Sequence, residues 1–107
     1  MCNFIVPASV KRGDLHITVS TNGKSPMLSK KIKEDLEETF GEEYIEYINA
    51  LGDLRKLVLE EIDDIKIRKK VFQKFIYNDL LNQYKRGEIE DIKKALNELY
   101  NKVIQEF

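Results

Sequence analysis

The sequence predicts an α+β chain, a β-hairpin at the N-terminus followed by about four α-helices. Leu15 to Ser20 alternates apolar and polar side chains, the period of a half-buried strand. From Ser25 onward apolar residues recur every third or fourth position, the period of helices packed on a core. Hydrophobic residues make up 42% and charged ones 35% of the 107 residues, which excludes a disordered chain and limits it to one small domain or its equivalent.

Phe4 to Val10 reads as the first strand, with Pro7 at an edge or a bulge because proline cannot donate to a ladder. Lys11-Arg12-Gly13-Asp14 reads as the turn. In the second strand Leu15, Ile17 and Val19 face one way and His16, Thr18 and Ser20 the other. Ser25 is a good N-cap, and Pro26 suits the first helical position. Leu28, Ile32, Leu36 and Phe40 then form a stripe expected to be buried and to end near Gly41. A second helix carries Tyr44, Ile48, Leu51, Val58 and Ile62, interrupted by Gly52 at a cost of roughly 1 kcal/mol, an interruption that suits close packing. A third runs from about Asp64 through Val71, Phe72, Phe75 and Ile76 to Leu81, closing near Gly87. A fourth uses Ile89, Ile92, Leu96, Leu99 and Val103. The expected division is residues 1–40, the hairpin, loop and first helix, and residues 41–107, a helical domain.

A lone two-stranded hairpin is marginal in water, and its free edges invite pairing. Phe4, Ile5, Val6, Ala8 and Val10 are too apolar for a strand left in solvent. The hairpin is therefore expected to join a larger sheet, most simply that of a second copy in a homodimer. No apolar run approaches the roughly 20 residues needed to span a bilayer, so no membrane is expected as a partner. One cysteine, Cys2, rules out an internal disulfide and fits a cytoplasmic location. The net charge of −1 and the lack of an aromatic-basic platform give no support to nucleic-acid binding.

That net charge conceals an asymmetry. Residues 1–33 carry +5 and the remainder −6. The basic end surrounds the most distinctive stretch of the chain, Ser20-Thr21-Asn22-Gly23-Lys24-Ser25-Pro26. A polar, glycine-containing loop at a helix start presents unpaired backbone N–H groups and the positive end of a helix dipole, a plausible cradle for an anion. The same residues also suit a plain strand-to-helix connection in which the serine caps and the glycine turns. His16 is the single histidine and has no Cys or His at ligand spacing, so no metal site is expected. The acidic pairs Glu37-Glu38, Glu42-Glu43, Glu60-Glu61 and Asp63-Asp64 read as solvated helix faces.

These residues resemble the part of the precorrin-2 dehydrogenases, the siroheme-forming enzymes, that follows their nucleotide-binding domain. A pattern of roughly Phe-Ile-x-Pro-Ala and Arg-Gly-x-Leu is met by Phe4 to Ala8 and Arg12 to Leu15. The family's Ser-Thr-Gly-Gly-x-Ser-Pro loop corresponds to Ser20 to Pro26, with Asn22 where glycine is usual; asparagine tolerates positive φ better than most residues. Asn78-Asp79-Leu80-Leu81 resembles the segment that closes the family's helical domain. The resemblance implies NAD-dependent oxidation of precorrin-2 to sirohydrochlorin, and in some members insertion of ferrous iron. It also implies that Ser20, Thr21, Asn22, Gly23, Lys24 and Ser25, with Arg12 nearby, line a tetrapyrrole cleft. No G-x-G-x-x-G occurs in these 107 residues, and the family's catalytic aspartate would fall before Phe4. The chain alone is thus expected to supply dimerisation and part of the cleft, with NAD held by a missing domain and no dehydrogenase activity of its own. The alternative is a non-enzymatic tetrapyrrole-binding or dimerisation module that acts with a separate NAD domain.

Overall fold

Strands β1 (Ala8–Arg12) and β2 (Leu15–Val19) pair antiparallel, with Ala8 opposite Val19, Val10 opposite Ile17 and Arg12 opposite Leu15. The computed structural model describes residues 7–107; Cys2 and the expected strand residues Phe4, Ile5 and Val6 lie outside the described residues. The turn is shorter than the sequence reading, because Lys11 and Arg12 belong to β1. Gly13 and Asp14 alone make the loop. Gly13 has φ +60°, which places the left-handed angle on the first loop residue, the II′ arrangement that matches strand twist. Position 13 is also tight, since a Cβ there would lie 3.3 Å from Ile45 Cγ2.

Among the described residues five helices follow: α1 (Pro26–Thr39), α2 (Glu43–Glu61), α3 (Ile65–Ile76), the short α4 (Leu80–Lys85) and α5 (Ile92–Ile104). The chain divides into two compact units, Met1–Ile45 and Glu46–Phe107. In the first, α1 packs on the face of the hairpin that carries Val10, the one fully buried hairpin residue among those described. Ile32, Leu36 and Phe40 are half-buried as the stripe requires. Leu28 departs from it at 47% exposed, because Ser29, one position on, turns toward the loop instead. Arg12 fixes the far end of this layer: its Nε donates to the Phe40 carbonyl at 2.8 Å and its guanidinium reaches the Glu37 carbonyl at 3.4 Å. Helix α1 has no basic residue in its last turn. The hairpin thus supplies the cation that the C-terminal carbonyls and the negative end of the dipole favour.

The second unit is a helical layer. Ala50, Leu54 and Val58 of α2, Val71 and Phe75 of α3, and Ile92, Leu96, Tyr100 and Val103 of α5 form its core. The α2 stripe is offset from the sequence reading: Tyr47 is buried because its hydroxyl donates to the Phe75 carbonyl at 3.3 Å, while Ile48 and Leu51 are half-buried. Phe75 and Tyr100 stack edge to face with centroids 5.9 Å apart. The expected third helix is broken after Ile76. Asn78 donates to the Lys74 and Phe75 carbonyls and accepts from the Leu80 N–H, closing α3 and opening α4 with one side chain. Asp64 and Asp91 cap α3 and α5.

Gly52 lies mid-helix on an exposed face, and a Cβ added there would meet nothing within 4 Å. It therefore serves no close approach, contrary to the sequence reading. We expect Gly52→Ala to raise stability by about 0.5–1 kcal/mol, through helix propensity alone. Gly13→Ala should lower it by about 1–2 kcal/mol, because its φ is left-handed. Denaturant midpoints of the two variants check both signs. Tyr100 offers a third test. Its hydroxyl donates to Glu61 at 3.0 Å, and burial first, then that bond, pushes its pKa from 10.0 up to about 12. A raised folded-state pKa contributes stability that is complete below pH 10 and lost as pH rises through 12. The fall in stability over that window should be smaller in Tyr100→Phe; coincident pH profiles for the two proteins would contradict it.

Candidate anion-binding loop at the start of α1

The loop between β2 and α1 is built from its own side chains. Thr21 to Lys24 form a tight turn closed by the Lys24 N–H donating to the Thr21 carbonyl at 3.2 Å. Its two central residues, Asn22 at φ +57° and Gly23 at φ +78°, are both left-handed. That is why glycine and asparagine stand there, and why the asparagine substitution leaves the turn intact. The Asn22 N–H donates to Ser20 Oγ at 3.2 Å.

Thr21 holds the loop to the helix. Its Oγ1 accepts from the Ser25 N–H at 3.0 Å and donates to the Ser25 carbonyl at 3.2 Å. Ser29, one helical turn further, adds its hydroxyl to the same carbonyl at 3.3 Å. Ser25 Oγ accepts from the Leu28 N–H at 3.2 Å, the capping bond its position anticipates. The hydroxyls of Ser20, Thr21 and Ser25 are therefore engaged in shaping the loop. Pro26 has no N–H to offer, and the amides of Leu28 and Ser29 are taken by Ser25. What faces solvent is the tip, Asn22 and Gly23, together with the exposed Lys24, beside the positive end of a 14-residue helix.

Arg12 is not part of this group. It sits at the hairpin tip against the last turn of α1, and Ser25 caps the first. Fourteen helical residues at about 1.5 Å each put roughly 20 Å between the two ends. The sequence brings Arg12 close to the loop only along the list of motifs; antiparallel pairing carries the tip away from it. Two further features were missed in the sequence. Ser29 belongs to the loop network, and its i+4 spacing from Ser25 is the signal that would have found it. The Arg12 contact with Phe40 spans 28 residues and has no local signal at all.

Among the described residues, His16 is exposed on β2 opposite Lys11, and no group of three or more His, Cys, Asp or Glu is placed to hold a metal ion. Lys31 pairs with Asp35 at 3.1 Å along α1, so it is less available than Lys24 to an outside anion. An NAD site does not fit these residues. The described sheet is two antiparallel strands, without the parallel βαβ unit that places a dinucleotide at a helix start. No helix among the described residues is long and apolar enough to cross a membrane.

Comparison with known proteins converges on the same stretch. Residues 12–39 match the family described as sirohaem biosynthesis protein, central. Over 56 residues the chain is 43% identical to a precorrin-2 dehydrogenase of Priestia megaterium, covering 52% of this chain and 28% of that protein. A precorrin-2 dehydrogenase of Methanosarcina barkeri is 29% identical over 98 residues, covering 92% of this chain and 42% of that one. A solved structure of SirC, precorrin-2 dehydrogenase, superposes with a TM-score of 0.73 at 26% identity, over 94% of this chain and 48% of that one. The chain thus spans less than half the length of each of these relatives. Fold and sequence agree in their likeness to the precorrin-2 dehydrogenases and siroheme synthases, and the stretch matched by that family's central region, residues 12–39, holds the hairpin tip, the loop and the first helix.

Proposed function

We propose that the chain forms the substrate-facing and dimer-forming part of a precorrin-2 dehydrogenase, the enzyme that oxidises precorrin-2 to sirohydrochlorin with NAD in siroheme synthesis. The observation that carries this reading is a coincidence of place. The family match over residues 12–39 includes a loop whose exposed tip, cation and helix dipole suit an anion. The tetrapyrrole substrate is a polycarboxylate, and charge-assisted hydrogen bonds to it are roughly twice as strong as neutral ones. Lys24 and the tip amides would bind one of its carboxylates, with Ser20, Thr21, Asn22, Gly23 and Ser25 holding that tip in shape. Arg12 serves the fold that carries the loop rather than the substrate.

The hydride acceptor NAD and the family's catalytic aspartate belong to a nucleotide-binding domain, in cis or in trans. This chain positions the substrate and pairs two protomers through its hairpin, in the cytoplasm. No residue of this chain is assigned a role in iron insertion. The reading that it acts as a tetrapyrrole-binding module beside a separate NAD domain rests on the same loop.

Anaerobic absorbance titration with sirohydrochlorin tests the assignment. We expect saturable binding by the chain alone, weakened about tenfold by Lys24→Glu and unchanged by Lys102→Glu on α5, a tenfold loss being about 1.4 kcal/mol. Absence of binding, or equal affinities for all three proteins, would contradict the loop's role. NADH formation from precorrin-2 by the chain alone would overturn the division of labour.

A further inference from the structure

The second unit presents a feature that neither the loop nor its ligand explains. Between the later half of α2 and α3 runs an open groove of about 510 Å³. Its floor and ends are Leu59, Ile65, Phe72, Ile76 and Tyr77. Four of these are among the large apolar side chains the described residues leave exposed: Leu59 at 39%, Ile65 at 77%, Ile76 at 50% and Tyr77 at 81%. Exposed apolar side chains scattered singly mean little, but a contiguous set along one groove marks an interaction surface.

Charge selects the occupant. Arg55, Arg68 and Lys69 line the groove, and no acidic residue does. Among the described residues none of the three cations pairs with a carboxylate. Arg55 lies over the Phe72 ring at 5.4 Å, and Arg68 is turned to the carbonyls of Ile62 and Leu59, closing the end of α2 as Arg12 closes α1. In a chain with 19 acidic side chains, a groove with cations alone is fitted to an acidic partner. It is poorly fitted to a second copy of itself, since two-fold pairing would set like charges against each other.

Shape narrows the choice further. Ile65 and Tyr77 stand clear of the surface at the two ends of α3 rather than enclosing a cavity, so the groove is open along the helix. Twelve residues of α3 span about 18 Å, the length of three turns of a docked helix. Ile65, Phe72 and Ile76 repeat at spacings of seven and four, the seam that accepts a neighbouring helix.

We propose that this groove docks an amphipathic helix whose apolar face is flanked by acidic residues. The partner supplies leucine-like anchors to the floor set by Phe72, Leu59 and Ile76, and carboxylates to Arg55 and Lys69 at the rim. This surface lies wholly within the helical unit and does not depend on tetrapyrrole binding at the α1 loop.

The test uses the full chain and two labelled 16-residue peptides with the same leucine face, one flanked by glutamates and the other by lysines, read by fluorescence anisotropy. The glutamate peptide should bind at least tenfold tighter than the lysine peptide, and its affinity should fall as salt rises. Arg55→Glu with Lys69→Glu should reverse that preference, and Ile76→Asp should abolish binding of both, with circular dichroism verifying that each variant is folded. Equal binding of the two peptides, or no binding of the glutamate peptide, overturns the proposal. So does self-association of the chain that Ile76→Asp abolishes, because the occupant would then be a second copy.

Discussion

A two-stranded hairpin cannot stand by itself in water, and the first unit is organised around that constraint. One face of the hairpin is answered within the chain, where α1 covers Val10 and its neighbours. Arg12 makes the arrangement definite: a guanidinium carried by the last residue of β1 bonds the terminal carbonyls of α1. Such charge-assisted bonds contribute roughly 1.5–3 kcal/mol where they are partly shielded, and less in open solvent. Because the tip is pinned to one end of α1, the opposite end of the strand pair must deliver the Ser20–Ser25 loop to the other. The candidate site is thus a consequence of how the hairpin is held.

The same device closes the second unit. Neither α1 nor α2 has a basic residue in its last turn, and in each case an arginine from elsewhere takes the role. Arg12 comes from the hairpin, and Arg68 from the next helix, donating to the carbonyls of Ile62 and Leu59. Side-chain capping across elements fixes how consecutive elements meet, which local capping by lysine within a helix would not do.

Much of this was legible in the sequence because it rests on short-range physics. Alternation in Leu15–Val19, the Ser25 cap, Asp64 before α3 and Gly87 after α4 are all written within a few residues. What the sequence concealed was of longer range. Tyr47 joins the buried stripe of α2 with a hydroxyl that finds a carbonyl 28 residues away, and Arg12 leaves the loop for a carbonyl at the same separation. Leu28 fits the apolar period yet is exposed, since Ser29 has a hydrogen-bonding reason to face inward. The break at Asn78 was present as Asn-Asp, a strong turn pair, but was overridden by the apolar run around it.

The edges of the hairpin are the part of the constraint that α1 leaves unanswered among the described residues. A row of unpaired backbone donors and acceptors is costly in isolation and is commonly met by another strand. A two-fold partner meets it at least cost. Sedimentation equilibrium of the chain across micromolar concentrations tests this directly. The account requires a mass of twice the 12.6 kDa chain. A monomer throughout that range would contradict it, and would mean that the hairpin edge is covered by something other than a second copy.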